Sequence, residues 1–234
     1  MAPTHTLGHL SSDLVDPTNG LNLGRVYDYR FEDIQDSARS GVWTEIAVFL
    51  HRRFGSPDRV LDTAGGLGEF IANVPAADRW AVDLVDHGLS SVPDVTVRIA
   101  SFFDADIPDN YFDLVFISNL LEHLATPDEV AQFLARARSV LRPGGVVAIV
   151  GPNFKYTAKD YFDCADHILP LTHIAVAEHL YAAEFEVVET TPKFLPFSFR
   201  SRLPSSPLLA RAYLKAPLTW KLLGKQFLVA GRKN

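Results

Sequence analysis

Three groups of residues in this chain have types and spacings that can do chemistry. The first is a glycine-rich turn, Ala64-Gly65-Gly66-Leu67-Gly68, set directly after the apolar run Val60-Leu61 and Asp62. Glycine has no Cβ, so such a turn lets the main chain approach a ligand closely. The second is Asp83, which closes another apolar run, Trp80-Ala81-Val82, 21 residues after Asp62. A carboxylate has two acceptor oxygens and can take two hydroxyl protons at once. The third group is built from histidines. His123 lies in Leu121-Glu122-His123-Leu124, and His167 ends Tyr161-Phe162-Asp163-Cys164-Ala165-Asp166-His167, with His173 six residues further on. Asp166 or Asp163 can orient His167 and make a carboxylate–imidazole pair that moves protons near neutral pH.

Two common phosphate-binding patterns fail at the glycine turn. A dinucleotide fingerprint places glycines at n, n+2 and n+5. Counting from Gly66 reaches Gly68 and then Ile71, and counting from Gly65 reaches Leu67. No Gly-Lys-Ser/Thr follows, which excludes a P-loop.

The elements that must position these residues follow from periodicity. Trp43, Ile46, Ala47, Leu50 and Phe54 recur at helical spacing and predict a helix over 41–54. Buried strands are predicted at 59–62, 80–83, 95–99, 112–118 and 146–150, with a short helix from about Gly68 that stops before Pro75. Thr126, Pro127 and Glu129 form a capping-box start for a helix whose apolar stripe is Val130, Phe133, Leu134, Ala137 and Leu141. Arg142-Pro143-Gly144-Gly145 stops it. A further helix fits 173–183, and strands fit 185–191 and 226–231. Short apolar strands alternating with amphipathic helices imply a parallel sheet covered on both faces. Ligands bind such sheets at the carboxyl ends of the strands, where the residues above fall.

In this order and spacing the motifs resemble the class I S-adenosylmethionine-dependent methyltransferases. The acidic residue and glycine turn (Asp62 to Gly68), the second-strand carboxylate (Asp83), Phe112-Asp113-Leu114-Val115, Leu121-Glu122-His123-Leu124 and Leu141-Arg142-Pro143-Gly144-Gly145 carry the likeness. It covers about residues 57–151 well and 152–190 more loosely. The departure is Ala64, where the family has its first glycine; alanine is tolerated there if φ is negative.

The resemblance implies an α/β Rossmann-like sheet of seven strands in the order 3-2-1-4-5-7-6, with only strand seven antiparallel and a helical insertion before it. It implies S-adenosyl-L-methionine as methyl donor, held by Asp62, Ala64, Gly65, Gly66, Gly68, Asp83 on the ribose, Leu84 and Asn119. Phe102 would pack on the adenine with Ser101 at its edge. Tyr27 and Arg30 would close over the methionine end. As general base the reading favours His167, with Asp166, over His123, which would shape the loop beneath the methyl group. Methyltransferases of the ubiquinone O-methyltransferase type bind a divalent ion through Glu-x-x-Glu-His. Here Asn119 stands where the first of those carboxylates would be, so no metal is expected.

The totals bound the rest. The chain has 234 residues, a size that fits one elaborated domain. Residues 1–40 read as an arm or cap and 41–234 as one methyltransferase domain. No apolar run approaches the roughly 20 residues of a membrane span. Met1–Leu10 does not read as a signal peptide, and Cys164 is the sole cysteine, so a reducing cytoplasmic setting is expected. All 28 acidic residues lie in 1–189, whereas 190–234 holds nine Lys/Arg and no acid. Within it, 192–225 reads as a basic apolar lid, with Arg200 and Arg202 facing an anionic or lipid-linked acceptor. The leading reading is methyl transfer to an oxygen or nitrogen of a small-molecule or glycan-type acceptor. The rival is a methyltransferase-fold binding or scaffold protein without catalysis. No nucleic-acid module appears.

Overall fold

Alternation of apolar side chains along Phe112–Ser118 lets one strand feed two separate cores. Leu114 and Phe116 point to one face, and Val115 and Ile117 to the other, all fully buried. In this computed structural model, which describes residues 21, 22, 25, 26, 29, 36–196 and 206–234, that strand is central in a seven-stranded sheet. The chain divides into two units, Met1–Gln35 and Asp36–Asn234. In the first, Asn22 accepts the Arg25 N–H on its side chain (3.0 Å) and the Val26 N–H on its carbonyl (3.1 Å).

The second unit holds the sheet. Its strands are β1 (Arg59–Asp62), β2 (Asp78–Asp83), β3 (Thr96–Ile99), β4 (Phe112–Ser118), β5 (Leu141–Pro152), β6 (Phe185–Thr191) and β7 (Gln226–Lys233). Their order is β3-β2-β1-β4-β5-β7-β6, and β7 pairs antiparallel with both β5 and β6 while the other pairs are parallel. This is the expected topology.

Helices α1 (Asp36–Arg53) and α2 (Glu69–Asn73) cover one face. There Trp43, Ile46, Leu50, Phe70 and Ile71 form one core with Leu114 and Phe116 of β4, Val146, Ala148 and Val150 of β5, and Leu228 of β7. Helices α3 (Pro127–Val140) and α4 (His173–Ala182) cover the other face. They bury Phe133, Leu134, Ala137, Val176 and Leu180 with Val115, Ile117, Val147, Ile149 and Val229. No helix among the described residues is long and apolar enough to cross a membrane.

Local sequence explains the element ends. Thr126 Oγ1 accepts the Glu129 N–H at 3.2 Å, as the capping box requires. Glu129 reaches back to the Ala125 N–H (2.9 Å), one residue before the cap. Helix α1 starts at Asp36 rather than 41. Strand β5 runs back to Leu141, which pairs with Phe112 across a register shift, so the Arg142–Gly145 stop is itself part of the strand. Gly144 makes this possible with φ +77°. The 192–225 segment contains two helices, α5 (Pro207–Leu214) and α6 (Pro217–Leu223). Pro217 lacks an N–H and pushes Ala216 out of helical geometry (φ −119°, ψ 75°), which separates them.

Candidate active site

The glycine turn links the carboxyl ends of β1 and β2. Gly65 N–H donates to Val82 O (3.1 Å), Gly68 N–H to Gly65 O (2.7 Å) and Gly66 N–H to Asp83 Oδ2 (2.7 Å). Val85 N–H donates to Asp83 Oδ1 at 3.0 Å. Each Asp83 oxygen therefore accepts one main-chain N–H. A carboxylate has about four lone-pair positions, so each oxygen retains capacity for a further donor such as a sugar hydroxyl. Gly66 has φ +51° and no atom near where a Cβ would stand, whereas a Cβ on Gly65 would meet Leu89 at 2.9 Å. Gly66 thus lies on an open rim, and Gly65 is small because the wall behind it is closed. Ala64 is not among the positive-φ residues, which meets the condition for alanine at this position.

Asp62 is almost fully buried. Burial pushes its carboxyl up to about 7; the Ala64 N–H lowers it and nearby Asp83 raises it further. Leu84 is exposed beside Asp83. Ser101 Oγ accepts the Phe103 N–H at 3.3 Å. Phe102 turns into the core and packs on Phe133, with ring centroids 4.6 Å apart, and the ring that reaches solvent here is Phe103. At the end of β4, Asn119 adopts left-handed geometry (φ 47°), which asparagine tolerates, and its Oδ1 accepts from Gln226 Nε2 at 3.0 Å.

The histidines meet beyond β4 and β5. His123 Nδ1 lies 2.8 Å from the Asp166 carbonyl and 3.6 Å from its Oδ2. A carbonyl only accepts, so Nδ1 carries the proton and Nε2 of the neutral ring bears the lone pair. The His167 ring lies 5.1 Å from that of His123 and 4.7 Å from that of buried Tyr161. Burial and the neighbouring Glu122 charge raise the Tyr161 hydroxyl above its usual range, and it donates to Leu169 O. Ligand-type atoms of Glu122, His123 and His167 lie within 4.8 Å of one another, as do those of Cys164, Asp166 and His167. Either group has the chemistry to hold a cation as well as a proton. His173 stands apart from this cluster: its Nδ1 accepts from Asn153 Nδ2 (2.9 Å), and burial lowers its pKa.

Tyr27, Arg30, Arg200 and Arg202 lie outside the described residues. Two contributors, Arg39 and Gln226, escaped the sequence reading, and Glu122 was read only as part of the Leu121–Leu124 motif. Arg39 pairs with Glu69 at 2.8 Å and ties α1 to the helix behind the glycine turn. Gln226 braces Asn119 from β7. Glu122 is buried, and its carbonyl accepts the N–H groups of Ile168 and Leu169, which joins the two histidine loops. Glu69, adjacent to Gly68, and Glu122, beside His123, carried local signals; the contacts themselves join residues far apart in the chain.

Residues 61–149 match the model of a family described as methyltransferase domain. A probable non-canonical nonribosomal peptide synthetase, CymA, of Salinispora arenicola is 29% identical over 175 residues, 65% of this chain. The chain spans about 2% of that relative's length. A SAM-dependent methyltransferase structure from Archaeoglobus fulgidus superposes with TM-score 0.59 at 18% identity, covering 89% of this chain and 99% of that one. The Burkholderia thailandensis 1,6-didemethyltoxoflavin-N1-methyltransferase, solved with 1,6-didemethyltoxoflavin and S-adenosylhomocysteine bound, superposes with TM-score 0.55 at 20% identity, covering 89% and 85%. Residues 61–149 thus match the methyltransferase-domain family, and the seven-stranded sheet has the fold of these solved SAM-dependent methyltransferases.

Proposed function

We propose that the chain moves the methyl group of S-adenosylmethionine to an oxygen or nitrogen of a small-molecule or glycan-type acceptor, anionic or lipid-linked. The observation that carries this reading is that a carboxylate-pinned glycine turn and a histidine whose tautomer is set by Asp166 both follow the carboxyl ends of neighbouring strands, β1 and β4. The bound donor supplies a methyl on a cationic sulfur, ready for in-line displacement.

Asp83 takes the ribose hydroxyls with its remaining lone pairs, and the glycine turn lets the donor lie against the main chain. Leu84 and Phe103 supply apolar surface for the adenine, in place of Phe102. His123 Nε2 accepts the proton that the acceptor loses as its lone pair bonds to the methyl carbon and the carbon–sulfur bond breaks. Asp166 holds His123 in the competent tautomer and stabilises the imidazolium that results. This assigns the base to His123, whereas spacing alone favours His167; His167 then borders the acceptor. No Lewis acid is required, because the sulfonium is already electrophilic. The small molecule held by the toxoflavin methyltransferase supports an acceptor of modest size.

The test is calorimetric titration with S-adenosylhomocysteine, followed by turnover assays on phosphorylated sugars, phenols and amines, with and without EDTA. Donor binding with EDTA-resistant turnover supports the reading. Absence of donor binding overturns it, binding without turnover on any acceptor favours the scaffold alternative, and turnover abolished by EDTA assigns the Glu122–His123–His167 group to a cation.

A further inference from the structure

Helices α5 and α6 present an apolar surface that nothing among the described residues of the second unit covers. Their inner side is anchored: Tyr213 Oη donates to Phe194 O (2.7 Å), Trp220 Nε1 donates to Tyr213 O (2.9 Å), and the Trp220 ring meets Phe49 and Phe194 edge-on. Their outer side is leucine. Leu208 is 75% exposed, Leu218 76% and Leu222 82%, and Leu209 and Leu223 are also exposed. Helical spacing sorts them with cations. Leu208, Arg211, Ala212 and Lys215 recur along one stripe of α5, and Leu218 and Leu222 flank exposed Lys221 on α6.

Such leucines face water at a cost that a soluble chain normally avoids. The charges say what covers them. Arg211 and Lys225 are matched by Glu45 (2.7 Å) and Asp160 (3.1 Å). Lys215 and Lys221 are exposed, with no carboxylate in ion-pair contact among the described residues. Lys193 lies alongside, donating to Lys221 O at 3.0 Å. Residues 190–234 contain nine basic residues and no acidic one, against 28 acidic residues in 1–189. In a second copy meeting the same face, Glu45 and Asp160 are already matched to Arg211 and Lys225, so self-association would set Lys215 and Lys221 against their own counterparts. An anionic bilayer offers both an apolar layer for the leucines and phosphate for the lysines.

We infer that the α5–α6 face docks the protein on anionic lipid, leucines in the acyl boundary and Lys215 and Lys221 among the headgroups. The acidic remainder of the chain is repelled by the same surface, so docking is oriented with this face down. The proposal is independent of the acceptor's identity.

Flotation of the full chain with phosphatidylcholine vesicles, and with vesicles holding about 30 mol % phosphatidylglycerol, tests it. Binding is expected to the anionic vesicles alone and to be released in about 0.5 M NaCl. Leu218→Ser with Leu222→Ser, and separately Lys215→Gln with Lys221→Gln, should each weaken it by roughly tenfold or more, with unchanged thermal unfolding. The lysine pair, being fully at the surface, keeps the test decisive if the leucine pair disturbs folding. Failure to bind anionic vesicles, or retention of wild-type binding in the lysine pair, overturns the proposal. A dimer in sedimentation velocity that the leucine pair dissociates also overturns it and assigns the face to a second copy.

Discussion

Asp62 and Asp83 end adjacent strands and carry opposite electrostatic burdens. Asp83 accepts two main-chain N–H groups, whereas Asp62 is buried and its carboxyl is pushed up to about 7. A raised folded-state value means that stability is greatest below the unfolded value, near 3.9, falls as pH rises toward about 7 and levels off above it. The full penalty is on the order of 4 kcal/mol. Asp62→Asn is therefore expected to unfold at a higher temperature than wild type at pH 8, with the gap closing toward pH 4; equal midpoints at pH 8 would show that burial does not govern this group. Asp83→Ala should weaken S-adenosylhomocysteine binding by about 1.5–3 kcal/mol, the value of a hydrogen bond to a charged group, read by calorimetry. An unchanged affinity removes Asp83 from the donor site. For the base, His123→Ala should lower kcat by about 10²–10⁴-fold and leave donor affinity near wild type. His167→Ala should instead act mainly on the acceptor KM, and the reverse pattern would return the base to His167.

At the scale of elements, the last residues of β7 close the fold. Lys233 Nζ donates to Asn110 Oδ1 (2.8 Å), Arg138 O (2.8 Å) and Leu141 O (2.7 Å), satisfying carbonyls at the end of α3. Burial lowers its pKa, yet three oxygen acceptors favour the charged form. Lys233→Met should cost about 1.5–3 kcal/mol and lower the unfolding temperature by several degrees, about 2–4 °C per kcal/mol for a chain of this size. An unchanged midpoint would mean that water replaces the ammonium. The helix starts were readable because caps are local: Thr126, Pro127 and Glu129 are close in sequence. The Lys233 contact was not, because its partners lie 92 to 123 residues away.

At the scale of the molecule, charge is divided along the chain, with the basic carboxyl-terminal segment opposed to an acidic body. An anionic acceptor drawn by that segment should show a KM that rises with salt, since exposed charge contacts are screened beyond about 10 Å at 0.1 M. Donor affinity, proposed to rest on the glycine turn and Asp83 rather than on that segment, should change little over the same range. A salt-independent KM for an anionic acceptor would separate the basic segment from acceptor binding.

The sequence by itself determined the alternation of strands and helices, the sheet order through its family likeness, and the acidic–glycine turn with its partner Asp83. Each rests on short-range periodicity or on motifs contiguous in the chain. Tertiary structure decided that Asp166 also reaches His123, that Phe102 turns inward while Phe103 turns outward, and that Gln226 braces Asn119. It also decided that the leucines of α5 and α6 remain uncovered among the described residues. These outcomes depend on which loops the sheet brings together and which faces it leaves open. Spacing along one loop does not encode a contact made by another, so neighbourhood in sequence put Asp166 with His167, while the fold also brought it to His123.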